Sequence, residues 1–253
     1  MTTICSTLEE WRALRRSAAW QGKTLGFVPT LGALHAGHAA LLARARKENE
    51  RVVLSIFVNP TQFDDPADLA RYPRTLDSDL SLAEPYADAI LAPSAKAMYP
   101  DDFRYRLAES ALSPRLEGAL RPGHFEGVLT IVLKLFNLVQ PHRAYFGEKD
   151  WQQLQLVRGL VEALLLPVEI VACPTVRDPD GLALSSRNRR LSPAGRAAAA
   201  RFPQILQSAR DPAAAAAGLR AAGFDVDYVE ECAGALTAAI RVEGVRLIDN
   251  VRR

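Results

Sequence analysis

The hydrophobic pattern changes period several times along the chain. Residues 24–29, "TLGFVP", are a short apolar run ended by Pro29, which predicts a buried strand. "RVVLSIFVNP" (51–60) is a second, richer in β-branched residues and closed by Pro60. Between them "GHAALLARARKENE" has a helical composition, so residues 24–59 predict a βαβ unit on a parallel sheet. "ADAILAP" (87–93) predicts a third strand. Val128, Ile131, Val132, Leu135, Phe136 and Val139 then share one helical stripe. "RAYFG" (143–147) predicts a strand, followed by a helix from about Trp151 with Leu154, Val157, Val161 and Leu164 inward. "PVEIVACP" (167–174) closes the alternation, whose sum is a doubly wound α/β domain with a parallel, Rossmann-like sheet.

After Pro174 the pattern weakens. Residues 192–223 are rich in Ala and Arg, "DPAAAAAGLRAAG" is nearly low-complexity, and short strands are expected at "DVDYVE" and "VRLIDN". The expected division is therefore 1–174, a nucleotide-binding domain, and 175–253, a smaller α+β domain entered through "VRDPDGLALSSRNRR".

Composition narrows the function classes. The 253 residues are 49% hydrophobic and 24% charged, with a net charge of +2, so nothing calls for nucleic acid or an anionic membrane as partner. Cys5, Cys173 and Cys232 lie far apart and form no CxxC pair, which argues against disulfides and thiolate zinc and fits a reducing compartment. The charged N-terminus does not read as a signal peptide; its apolar residues recur at helical spacing. "VLTIVLKLFNLV" and "VEALLLPVEIVAC" are too short and too broken to span a bilayer. A cytoplasmic location is expected.

The candidate chemistry starts at "FVPTLGALHAGH". His35 and His38 are three apart and could face one point on a helix. Zinc would need a third ligand at suitable spacing, and His124 and His142 offer none. Simple packing remains open on the pair alone. A strand end, a glycine-containing turn and a helix start favour phosphate: unpaired N–H groups at the carboxyl edge of a parallel sheet receive anions. Gly32 and Gly37 would let a nucleotide approach, and the imidazoles could donate to its phosphates. H-x-G-H is also the arrangement of nucleotidyltransferases and class I aminoacyl-tRNA synthetases. "FGEKDWQQ" (146–153) repeats the strand-to-helix context with Lys149 as a point charge, although an ordinary helix start would explain Glu148 and Asp150 as well. "GLALSSRN" (181–188) has the hydroxyls, Arg and Asn of a mobile phosphate clamp, or of a plain polar linker. Asn59 and Gln62 end "SIFVNPTQF" with amides that could orient a hydroxylated or carboxylate substrate. "RPGHFEGV" (121–128) is either a functional turn or a basic helix cap.

"FVPTLGALHAGH", "SIFVNPTQF", "ARYPRTLDSD", "RPGHFEGVLTIVLKLFNLVQP", "FGEKDWQQ", "DGLALSSRN" and "RLIDN" occur in this order, and together they closely resemble the pantothenate synthetase (pantoate–β-alanine ligase) family. The resemblance covers nearly all of residues 20–190 and returns at 246–250. It implies a two-step ligase in which the pantoate carboxylate attacks the α-phosphate of ATP, used with Mg²⁺, and β-alanine then attacks the pantoyl adenylate. Carried over by position, Leu31, Gly32, Ala33, Leu34, His35, Ala36, Gly37 and His38 would line the ATP site, with His38 the proton donor and His35 on the phosphates. Gly147, Glu148, Lys149 and Asp150 would hold ribose and phosphates, with Lys149 at the α-phosphate. Val176, Leu184, Ser185, Ser186 and Arg187 would close over the nucleotide, and Gln62 and Gln153 would bind pantoate, Gln62 also reaching β-alanine. No protein metal ligand is implied, and a homodimer is.

Two departures stand out. Leu31 replaces the Met usual in the family, a mild exchange for ATP binding. The segment between "SSRN" and "RLIDN" looks shorter than usual, which puts lid closure and turnover in question. A nucleotidyltransferase that stops at nucleotide attachment, and a nucleotide sensor without chemistry, are the competing readings. The Gln62/Gln153 pair argues against the first, since phosphorylated acceptors usually need Arg or Lys.

Overall fold

Six runs of this chain pair side by side because both of their faces can be buried. The computed structural model describes residues 2–253. The strands are β1 (Thr3–Cys5), β2 (Leu25–Thr30), β3 (Arg51–Ile56), β4 (Ala89–Leu91), β5 (Arg143–Gly147) and β6 (Glu169–Cys173). They lie in the order β1–β4–β3–β2–β5–β6, parallel where register is defined, as in Leu25↔Arg51 and Gly26↔Arg143. The doubly wound reading holds. The order reverses between β2 and β5, the switch point at whose carboxyl edge such sheets bind ligands. The loops leaving β2 and β5 carry "LGALH" and "GEKD".

The described residues form two compact units: residues 2–34, 38–146 and 156–173, and residues 35–37, 147–155 and 174–253. In the first, Val28, Leu42, Leu54, Ile90, Tyr145 and Val171 belong to one core on the sheet. Helix Ala36–Glu48 follows β2, and helix His124–Val139 buries the expected stripe. The N-terminal helical spacing is helix Leu8–Arg16, capped by Thr7 and Glu10 and burying Trp11. β1, unforeseen, pairs with β4 at the sheet edge.

The second unit holds helices Pro193–Ala199, Arg201–Ser208 and Pro212–Ala221 and an antiparallel sheet of β7 (Asp225–Cys232), β8 (Ala235–Val242) and β9 (Val245–Arg252). β7 and β9 match the expected strands; β8, the central one, was not foreseen. Few large apolar side chains suffice here, because Ala199, Ala215 and Ala238 let the elements approach around Phe202, Leu206, Leu236 and Ile240. Each hairpin turns on two residues of positive φ, Ala233–Gly234 (46° and 76°) and Glu243–Gly244 (50° and 76°), as two-residue type I′ turns require.

Candidate active site

Where β2 ends, the chain must leave the sheet without clashing. Gly32 takes φ 87° and Ala33 takes φ 52°, and a Cβ on Gly32 would meet Asp79 Oδ2 at 3.1 Å. Asp79, on helix Leu76–Ala83 and 2% exposed, accepts the N–H groups of Ala33 (3.0 Å) and Leu34 (2.7 Å), and Thr75 Oγ1 donates to it at 3.2 Å. Gly32 N–H goes to Thr30 Oγ1 at 3.2 Å, and Gly37 N–H to His35 Nδ1 at 3.1 Å. The expectation of unpaired backbone donors is therefore corrected for Gly32, Ala33, Leu34 and Gly37. A glycine-rich loop on a parallel sheet looks the same in sequence whether its amides face an anion or a buried carboxylate.

The Gly37 contact settles the His35 tautomer. Nδ1 accepts, so the neutral ring carries its proton on Nε2. Burial first, then the Lys149 charge, lowers its pKa, Arg189 adding to them and Asp150 opposing, so at neutral pH the ring is an uncharged donor. His35, Lys149 and Arg189 belong to the second unit; Leu31 to Leu34, His38 and Gln62 belong to the first. Arg189 escaped the sequence reading because "SSRNRR" does not say which arginine faces a histidine. His38 lies half-buried in the first turn of helix Ala36–Glu48.

Beyond β3 the chain enters a 3₁₀ turn, Pro60–Gln62, whose polar groups are ordered by one fixed acceptor. Asn59 is fully buried, and its Nδ2 donates to Gly127 O at 3.1 Å and Gln62 Oε1 at 3.0 Å. A backbone carbonyl can only accept, so this contact fixes which end of the Asn59 amide is nitrogen. Asn59 Oδ1 in turn accepts from Tyr99 Oη (2.7 Å) and Thr61 Oγ1 (3.0 Å). Gln62 therefore turns its Oε1 towards Asn59. Tyr99 is itself held, with Lys134 Nζ at 4.3 Å from its ring centroid.

"RPGHFEGV" resolves into support for that turn. His124 Nδ1 donates to Gln62 O at 2.7 Å, and Arg121 reaches Gln62 O (3.2 Å) and Asp64 (3.0 Å). Burial, with the Arg121 charge second, lowers the His124 pKa to about 4, so the ring is neutral. A Cβ on Gly127 would fall 2.3 Å from Thr61 O and 2.7 Å from Gln62 N, so only glycine lets this helix approach so closely.

β5 runs into a 3₁₀ turn, Glu148–Asp150, which belongs to the second unit, and then into helix Trp151–Ala163. Open space lies where a Gly147 Cβ would project. Asn250 Nδ2 donates to the carbonyls of Glu148 (2.8 Å) and Lys149 (3.1 Å), Arg252 pairs with the Glu148 carboxylate, and Trp151 Nε1 donates to Cys232 O at 2.8 Å. Lys149 Nζ is 3.8 Å from Asp150. Gln153 lies half-buried on this helix. In "GLALSSRN" two residues serve the loop itself: Ser185 Oγ accepts Arg187 N–H at 3.2 Å, and Asn188 Nδ2 donates to Ala183 O at 3.0 Å. Leu184 N–H bonds Val176 O at 3.0 Å, which joins two of the expected nucleotide contacts. Among the described residues no group of three His, Cys, Asp or Glu could hold a metal ion.

Known proteins match this arrangement from end to end. The pantoate-beta-alanine ligase family matches residues 3–252. The pantothenate synthetase of Bdellovibrio bacteriovorus is 52% identical over 253 residues, all of both chains, so the compact segment before "RLIDN" is shared by a full-length relative. The pantoate-beta-alanine ligase of Francisella tularensis, solved with beta-gamma ATP and beta-alanine, superposes with a TM-score of 0.92 at 38% identity, covering 100% of this chain and 98% of that one. The pantothenate synthetase of Thermus thermophilus gives 0.90 at 44% identity, covering 99% of each.

Proposed function

The chain belongs to the pantoate-beta-alanine ligase family, and from that premise we propose a role for each side chain described above. The reaction joins pantoate to β-alanine at the expense of ATP. A pantoate carboxylate oxygen bonds to the α-phosphorus, the bond to the bridging oxygen breaks, and pyrophosphate departs. The neutral β-alanine amine then attacks the acyl carbon of pantoyl adenylate, the carbon–oxygen bond to AMP breaks, and the nitrogen gives up a proton. Oxide is a hopeless leaving group at neutral pH, whereas AMP is a good one, hence the ATP.

The loop from Leu31 to His38 and the turn from Gly147 to Asp150 take the nucleotide. Val176 and Leu184 to Arg187 close over it, with residues 175–253 as the lid. The observation that carries this reading is His35: a neutral ring with its Nε2 proton fixed, beside the positive Lys149. Such a ring donates to phosphate without adding charge of its own, while Lys149 meets the negative charge that grows at the α-phosphate. His38 donates at the same phosphate as the pyrophosphate bond breaks. Gln62, turned by Asn59 to present Nε2, and Gln153 hold pantoate through its oxygens, and Gln62 also reaches β-alanine. Mg²⁺ suits this donor set as an ion carried on the ATP phosphates with its waters, since no protein cage is offered among the described residues. There it would shield the phosphates and help pyrophosphate leave.

We read the assembly as a homodimer, which sedimentation would test. No helix of the described residues is long and apolar enough to cross a membrane, and three buried cysteines in no disulfide support a cytoplasmic location. The functional test is AMP release from pantoate, β-alanine and MgATP, with and without β-alanine. His38→Ala should lower pantoate-dependent pyrophosphate exchange by about 10²-fold or more; undiminished exchange would remove His38 from the chemistry.

A further inference from the structure

The "RLIDN" stretch has no part in the chemistry, yet its last residues are tied to both nucleotide segments of the second unit. Successive residues of a strand face opposite ways. Asp249, on β9, takes the Arg177 guanidinium in two bonds of 2.6 and 2.8 Å, next to Val176. Asn250 faces away from it and spends its Nδ2 on the Glu148 and Lys149 carbonyls at 2.8 and 3.1 Å, across 102 and 101 residues of sequence. Arg252, two residues on and on the Asn250 face, pairs with the Glu148 carboxylate and lies 5.2 Å from the Trp151 ring centroid.

We propose that Asn250 is the positioning residue for Lys149. Two carbonyls converge on one point, and carbonyls only accept, so a donor with two hydrogens must stand there. The Asn250 amide supplies both from a buried strand. Holding the carbonyls of two successive residues fixes the peptide planes on both sides of the Lys149 Cα, and with them the direction in which its side chain leaves the turn. Lys149 Nζ, whose one described ion pair is with its neighbour Asp150 at 3.8 Å, is left to reach for phosphate. The proposal rests on Lys149 acting at the α-phosphate, as given above.

Asn250→Asp keeps the shape and replaces the donor by an oxygen that the two carbonyls repel; Asn250→Ala removes the donor without adding charge. In the full-length enzyme, both should lower kcat for pantoate-dependent pyrophosphate exchange about tenfold, with the pantoate KM within about twofold of the parent. In a Lys149→Ala background neither should cost more, because a residue acting through Lys149 has nothing left to position. Losses that multiply in that background, or a pantoate KM that climbs in step with a falling Tm, would overturn the proposal in favour of a general structural role. If Lys149→Ala is inactive while Asn250→Ala keeps full kcat, only the positioning fails. If Lys149→Ala is fully active, the phosphate role of Lys149 fails and the proposal with it. Should Asn250→Asp not fold, Asn250→Ser, with one donor, goes through the same cycle.

Discussion

The Gln62 turn and the Lys149 turn are both three-residue 3₁₀ turns that follow strands of the same sheet, yet they are held in opposite ways. The Gln62 turn is gripped by side chain and backbone together. Asn59, Tyr99, His124 and Gly127 hold both its backbone and the oxygen of its amide. At the Lys149 turn the main chain is held by Asn250, while the one ion pair of the lysine among the described residues is with the neighbouring Asp150. The difference fits the roles proposed for the two turns. Recognising a neutral hydroxyl or a carboxylate by its shape needs a preset amide, because a misdirected donor earns nothing. Meeting a charge that changes during the reaction needs a cation on a flexible stem over a fixed base.

The largest expected effect probes the rigid side through acid. The folded chain holds the His124 pKa at about 4 against an ordinary 6.5. Between those values the unfolded chain binds the proton first, so this contribution is complete above about pH 6.5 and is lost as pH falls towards 4, up to about 3 kcal/mol in all. His124→Asn, which retains a donor and does not titrate, should show a shallower loss over that window in denaturant melts; equal slopes would remove His124 as the cause. Next comes Gly127→Ala, whose added Cβ must displace the Thr61 carbonyl. A cost of about 2 kcal/mol in unfolding free energy and a raised pantoate KM with the ATP KM unchanged are expected. A normal pantoate KM would mean the turn is softer than its contacts imply. The smallest is Tyr99→Phe, which deletes one donor to Asn59. Losing about 1 kcal/mol of pantoate binding, close to fivefold in KM, would show that the amide order is transmitted through Asn59. No change would leave Gly127 O and Thr61 Oγ1 as sufficient anchors of the amide.

The parallel strands could be read because a doubly covered strand is a continuous apolar run. β1 escaped because three residues at a sheet edge make no run. β8, "ALTAAIRV", escaped because alanines give neither a strand period nor β-branched bulk. Its signal lay in the flanking Ala233–Gly234 and Glu243–Gly244 turns. At the site, residues whose chemistry is local stood out, among them His35, His38, Gln62 and Lys149. Those that hold them did not. Asp79 meets its partners across 45 and 46 residues, Tyr99 across 40 and Asn250 across 101, distances over which no spacing rule operates. The same blindness produced the expectation of free amides after β2: the loop is local, and the carboxylate beneath it is not.

Trp151 turns the Lys149 region into something that can be watched. The chain has three tryptophans, and Trp11 and Trp20 stack edge to face in the first unit, 5.7 Å apart. Trp151 alone lies in the second, 6% exposed, its indole nitrogen tied to Cys232 and the Arg252 guanidinium over its ring. Indole emission responds to a cation at its face and to the bond at its nitrogen. With Trp11 and Trp20 replaced by Phe, the remaining emission would report the state of the Lys149 turn alone, and, if the role proposed for that turn holds, the order in which substrates arrive becomes an optical measurement.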